Sequence, residues 1–181
     1  GIVLDPARVS SSVASRLGLS TQGLPAPDHY TEGVVQVMMD AIKNYNEALT
    51  KERLCDWHAA LFPTGRSGMY KISVAEYRQG EEPMQIVSGA MGHEKVHYEA
   101  PSSSVVSHEM DLFLEWINKA CDIDPVLKAA IAHLWFVAIH PFDDGNGRLT
   151  RTITDMMLSR SDGQRLRFYS MSAEIMRKRN S

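Results

Sequence analysis

The chain has 181 residues and a mass of 20.2 kDa, a length that fits one folded unit whose core needs no disulfide or metal to hold it. A net charge of −3 and a pI near 6.2 exclude the basic footprint of a nucleic-acid binder or of a protein held on an anionic membrane. The longest apolar stretch, Ala129 to Ile139, is interrupted by His133 and too short to span a bilayer; Cys55 and Cys121 lack metal-ligand spacing, and with no signal peptide in view the expectation is a cytoplasmic protein with reduced thiols.

Helix signals dominate the chain. Asp5 and Pro6 can cap and open a helix that runs through about Leu17 and ends at Gly18. Residues 31–47 place Val34, Val35, Met38, Met39 and Ile42 at helical spacing. Thr50 can cap a helix presenting Leu54, Trp57, His58 and Leu61, ended by Pro63 and Gly65. Residues 62–83 read as an ordered connection. Met84 to Ser88 and Lys95 to Glu99 each suit a short strand, and the glycine-containing turn between them makes a β-hairpin. Ser102 to Cys121 carries Val105, Met110, Leu112, Phe113, Trp116 and Ile117, another amphipathic pattern. Pro125 opens a helix through His140 that is apolar on most sides, with Val126, Leu127, Ile131, Leu134, Trp135, Val137 and Ala138, as expected of a central helix. Residues 147–160 form a further helix with Leu149, Ile153, Met156 and Met157 inward, and a last one starts at about Ser170.

Residues 1–30 therefore read as an N-terminal helical segment and residues 31–181 as the core that carries the chemistry. The chain starts at Gly1 without a Met and stops at Ser181 in a running helical pattern, so it is expected to be the core fragment of a longer protein.

The chemistry concentrates in His140 to Arg151, HPFDDGNGRLTR. Pro141 forces the chain out of the preceding helix at His140. Gly145 and Gly147 flank Asn146, so the backbone can take positive φ and approach a ligand closely. The next helix begins at about Gly147, and its free N–H groups and positive dipole end make a phosphate site. Arg148 and Arg151, three apart, share a helix face there and can clamp phosphate oxygens. Asp144, beside the phosphates, is a typical protein ligand for Mg²⁺. The His140 imidazole can serve as general base for a hydroxyl attacking phosphorus. His133, two turns before His140, reads as a core histidine, and Asp143 as a solvated side chain.

This stretch resembles the Fic motif, H-x-F-x-(D/E)-G-N-G-R-x-x-R, at every specified position: His140, Phe142, Asp144, Gly145, Asn146, Gly147, Arg148 and Arg151. The resemblance implies a mainly α fold, a Fic-type helical bundle with a small β-hairpin flap, and transfer of AMP from ATP to a Ser, Thr or Tyr hydroxyl of a target protein. It makes His140 the base and Asp144 the ligand for Mg²⁺ on the α- and β-phosphates. Gly145, Asn146 and Gly147 would form the anion hole, Arg148 and Arg151 would reach the outer phosphates, and Phe142 would anchor the loop in the core. The flap strand Gln85, Ile86, Val87 and Ser88 would align the target by strand addition. Hydrolytic removal of AMP at the same site, or nucleotide sensing without turnover, are the alternative activities. The family's inhibitory glutamate, which pairs with the second arginine, has three candidate positions here: immediately upstream of Gly1, Glu32, or Glu174. The expected partners are ATP and a hydroxyl-bearing target protein, with no membrane and no direct nucleic acid from this fragment, and with oligomers possible.

Overall fold

The computed structural model describes residues 4–80, 84–88 and 95–163. Its helices in chain order are α1 (Pro6–Arg16), α2 (His29–Lys43), α3 (Lys51–Leu61), α4 (Ser103–Asn118), α5 (Pro125–Ile139) and α6 (Asn146–Asp162). Two antiparallel ribbons lie between α3 and α4: β1 (Arg66–Ser67) with β2 (Tyr70–Lys71), and β3 (Gln85–Ser88) with β4 (Lys95–Glu99). The mainly α fold with a small β-hairpin is the one the motif resemblance implies. Among the described residues no helix is long and apolar enough to cross a membrane.

Capping fixes most helix starts. Asp5, Asp28, Thr50 and Asp124 each accept a hydrogen bond from a backbone N–H of the following first turn, and Pro6 and Pro125 stand at first helical positions. The helix after the glycine loop starts at Asn146, one residue earlier than its pattern indicates, because Gly145 at φ 83° serves as its N-cap. The connection between α3 and β3 holds the β1–β2 ribbon, which four strand residues of ordinary composition do not announce.

The core joins α2 through α6. Leu54, Trp57 and Leu61 from α3 meet Met110, Phe113 and Ile117 from α4, and Leu149, Ile153 and Met156 from α6 close it. On α3 and α6 the inward positions are those the periodicity marks. On α5 they are not. Ala129, Ala132, Phe136 and Ile139 are buried, whereas Val126, Leu127, Ile131 and Leu134 are exposed, Leu134 by 70%. A helix apolar on every side has no periodicity to show which face turns inward, and the two alanines make the narrow face on which α6 can lie close. On α4, Val105 and Leu112 likewise face out, and Val106 faces in. On α2 the buried line is Thr31, Gly33, Val35, Val37 and Ala41, with Met38 exposed. The last expected helix, from about Ser170, lies outside the described residues.

Gly33 sets the spacing of α2 and α3. A Cβ built there would lie 1.9 Å from the Ala60 carbonyl oxygen, a backbone atom that cannot yield without moving α3. Gly33→Ala should therefore destabilise the chain by about 1–3 kcal/mol or more, as overpacking does, although alanine is the better helix former. Urea unfolding checks this, and a midpoint at or above the wild-type value would show that the two helices can part without cost.

Candidate active site

His140 ends α5 in a left-handed conformation, φ 51° and ψ 59°, and its N–H still bonds to the Phe136 carbonyl at 3.1 Å. Its half-buried imidazole lies close enough to the Val137 carbonyl for that oxygen to favour a ring N–H. Burial pushes the His140 pKa below the ordinary histidine value, and the Arg78 charge pushes the same way; the Val137 carbonyl and the Asp144 charge oppose them. The net result is an imidazole that is neutral near pH 7.

The loop beyond it is pinned from inside. Phe142 is fully buried, stacked on His58 with ring centroids 4.2 Å apart and edge-on to Tyr77 at 5.5 Å. Asn146 is buried, and its side-chain amide closes a ring with the Phe142 main chain. Its Oδ1 accepts from the Phe142 N–H at 3.0 Å and its Nδ2 donates to the Phe142 carbonyl at 2.6 Å. The Asn146 side chain thus shapes the loop, and only its main-chain N–H remains for an anion.

His58, on α3, completes the floor. Its Nδ1 accepts from the Ala75 N–H at 3.1 Å, so its Nε2 carries the proton and donates to the Asp144 carbonyl at 3.1 Å. Burial holds its pKa below the ordinary value. Sequence periodicity places His58 only as an inward residue of α3; its bond to the loop 86 positions away has no local signal.

Asp144 points to the mouth of the site, with its side chain 46% exposed. Its carboxylate accepts from the Ser67 hydroxyl on β1 and from the Gly145 N–H at 2.5 Å, and lies 3.9 Å from Arg148. Burial works to raise its pKa, but these donors and the arginine outweigh it, and the group sits below the ordinary carboxylate range. Asp143, expected to be solvated, instead caps the connection by accepting from the Ser73 N–H at 2.9 Å.

The glycines differ in role. Gly145 has φ 83°, and a Cβ there would lie 2.8 Å from the Phe62 ring. Gly147 is exposed and does not adopt positive φ, contrary to the expectation for both; a Cβ there would lie 3.6 Å from Arg151 Nη1. The N–H groups of Arg148 and Leu149 both donate to the Gly145 carbonyl, so the amides ahead of them form the open start of α6.

The two arginines are also unequal. Arg148 lies between the rings of Phe62, 4.5 Å away, and Tyr30, 5.5 Å away, and donates to the Tyr30 hydroxyl at 3.2 Å. Arg151 is exposed. Both line a cavity of about 290 Å³ bounded by Leu4, Tyr30, Val34 and Leu61. Glu32, a candidate inhibitory glutamate, is paired with Arg16 at 2.7 Å. Gly1 and Glu174 lie outside the described residues. His133 bonds to Thr154 at 3.0 Å and is half-buried, as a core histidine would be.

The flap strand β3 pairs with β4 in the register Gln85↔Glu99, Ile86↔Tyr98, Val87↔Val96 and Ser88↔Lys95, with a bulge at His97. The Tyr98 hydroxyl reaches back to donate to the Ala138 carbonyl at 2.8 Å, which fastens the flap to the end of α5. The turn 89–94 lies outside the described residues. Sequence reasoning also missed Arg78, a buried arginine whose Nε donates to the His140 carbonyl at 2.8 Å.

A sequence profile of the Fic/DOC family matches residues 48–158, from before α3 to near the end of α6. The chain belongs to the Fic/DOC family. The protein adenylyltransferase fic-1 of Caenorhabditis elegans is 39% identical over 62 residues, 33% of this chain and 12% of that protein. Among solved structures, a Fic domain containing signaling protein from Bacteroides thetaiotaomicron matches 83% of this chain and 55% of its own, at 21% identity and a TM-score of 0.57. A variant of IbpAFic2 in complex with adenylylated Cdc42 matches 96% of this chain and 54% of its own, at 18% identity and a TM-score of 0.53. The chain thus spans only part of each relative.

The Fic loop is held mainly by one side chain, and removing it should be costly. Asn146→Ala deletes both bonds to the Phe142 main chain and leaves buried polar groups unmet, which should cost about 2–4 kcal/mol. Urea unfolding reads this directly. An unchanged midpoint would mean that Phe142 burial alone holds the loop.

Proposed function

We propose that this Fic domain is a protein adenylyltransferase, moving AMP from ATP to a hydroxyl side chain of a target protein. The observation that carries the reading is the geometry of the loop: His140 closes α5 at one end, Gly145 opens α6 at the other, and the Asn146 amide pins the turn between them, with the imidazole pushed toward its neutral form by burial. The names of the relatives point the same way, as does the adenylylated Cdc42 bound to the related Fic structure.

In this reading the target hydroxyl attacks the α-phosphorus, its proton passes to His140, and pyrophosphate leaves. The main-chain N–H groups of Gly145, Asn146 and Gly147, at the positive end of α6, receive the phosphate oxygens. Arg148, preorganised between Phe62 and Tyr30, and Arg151, at the rim, neutralise the outer phosphates. The β3 strand of the flap, residues Gln85, Ile86, Val87 and Ser88, offers its outer edge to an extended segment of the target. The reading requires neither a membrane nor nucleic acid, and we propose a cytoplasmic location.

The donor set at the mouth fits Mg²⁺. Asp144 is ionised and part-exposed, and among the described residues no cluster of three or more His, Cys, Asp or Glu could hold a metal by itself. Such an ion would be shared between Asp144 and the nucleotide, where it would neutralise phosphate charge.

Mass analysis of the intact chain after incubation with Mg-ATP tests the reaction, since transfer to itself or to an added acceptor protein adds one AMP. His140→Ala should keep ATP affinity and lose transfer by about 10²–10⁴-fold. A base works only when unprotonated, so the rate should fall as pH drops through its pKa. Because that pKa is lowered, wild-type activity should persist below the ordinary histidine value of 6.5. A rate that is already falling above that value would remove His140 as the titrating base.

Asp144→Ala should abolish the Mg²⁺ dependence of ATP binding, measured by titration calorimetry with and without the ion. Undiminished dependence would move the ligand to Asp143 or elsewhere.

A further inference from the structure

The last turn of α5 ends in the interior, where every carbonyl needs a donor. The Phe136 carbonyl receives the His140 N–H, and the Ala138 carbonyl the Tyr98 hydroxyl. The next three consecutive carbonyls are served by a single residue. Arg78 donates from Nη2 to Ile139 at 3.4 Å, from Nε to His140 at 2.8 Å, and from its main-chain N–H to Pro141 at 2.9 Å. The same Nη2 donates to the Pro101 carbonyl just beyond β4. Arg78 is 3% exposed, so these acceptors replace the water its charge has lost.

The residue so gripped is one of two non-glycine residues at positive φ among the described residues, the other being Ala75. A left-handed conformation crowds the Cβ of any L-residue against its own backbone, so His140 holds it only if its surroundings impose it. No other side chain described here donates to the His140 carbonyl.

We propose that Arg78 is a positioning residue for His140: its guanidinium clamps the carbonyls on either side of the left-handed turn and so fixes where the imidazole lies. The proposal rests on the reading of His140 as the base. It gives a role to a buried charge that the nucleotide site does not touch. A guanidinium is needed because its donors point along several fixed directions at once, whereas an ammonium offers one compact centre that cannot serve all these acceptors.

Two experiments separate positioning from general support of the fold. The first is a double-mutant cycle between Arg78→Lys and His140→Gly, read by urea unfolding. Glycine adopts the left-handed turn without strain, so Arg78→Lys should destabilise the His140→Gly background much less than the wild type. If Arg78→Lys alone fails to fold, the double variant should recover a folded state. Equal destabilisation in both backgrounds, or two unfolded proteins, overturns the proposal.

The second experiment compares transfer of label from α-labelled ATP onto the chain with Mg-ATP affinity. Arg78→Lys should bind Mg-ATP within about threefold of wild type and transfer label about 10²-fold more slowly, as expected of a displaced reactive group. Unimpaired transfer, or parallel loss of binding and transfer, overturns the proposal. If the wild type itself transfers no label, the reading of the function fails, while the unfolding cycle, which needs no turnover, still decides for or against Arg78.

Discussion

The whole site depends on an aromatic ring and an amide buried at the same turn. Phe142 goes into the core against His58 and Tyr77, and Asn146 then bonds both main-chain groups of that same residue. Burying the ring supplies apolar area worth about 2–3 kcal/mol, and the Asn146 amide removes the cost of burying a peptide group with it. With that turn fixed, the residues on either side have no freedom left. His140 must leave α5 at one end, and Gly145 must start α6 at the other with positive φ under the Phe62 ring. His140 and the start of α6 are therefore two ends of one constrained loop, and their separation is a property of the core.

The electrostatics follow from the same burial. His58, His133 and His140 are all pushed toward the neutral form by desolvation, and Asp144 is pushed toward the charged form by its donors. All four pKa values are lowered, which leaves the histidines neutral and the carboxylate charged. At neutral pH the loop therefore holds a neutral imidazole beside an ionised carboxylate. The shifts also bear on stability. A group whose folded pKa is depressed contributes stability above its unfolded pKa and loses it as pH falls through the folded value. For the three histidines that window opens below 6.5, the ordinary value, and Asp144 adds a second loss below the ordinary carboxylate value of 3.8.

The loop was legible in the sequence because its chemistry is local. Twelve adjacent residues carry the base, the acid, the glycine, the amide and the arginines, and the structure keeps them together. The helices were legible for a similar reason, since Asp5, Asp28, Thr50 and Asp124 act on the turn that follows them. What escaped was long-range. Arg78 reaches His140 across 62 positions, His58 reaches Asp144 across 86, and Ser67 reaches Asp144 across 77. Each is a single polar residue with an unremarkable neighbourhood, so nothing in its spacing shows that it will be aimed at the loop. The inward face of α5 escaped for a different reason. When a helix is apolar on most sides, small size rather than hydropathy decides which side the neighbouring helix can approach, as the buried Ala129 and Ala132 illustrate.

The two arginines of the motif show how the same fold divides rigidity from access. Arg148 is 21% exposed, sandwiched by Phe62 and Tyr30 and tied to the Tyr30 hydroxyl, so its guanidinium has little rotamer entropy left to lose when a ligand arrives. Arg151, one turn on, is exposed at the mouth of the adjoining cavity. A phosphate met by Arg148 therefore enters a preorganised environment, whereas one met by Arg151 must order the side chain as it binds. The core thus holds one arginine rigid and leaves the other accessible. Glu32, at the start of α2, is paired with Arg16, so its charge is partly offset before any contact with the motif arginines.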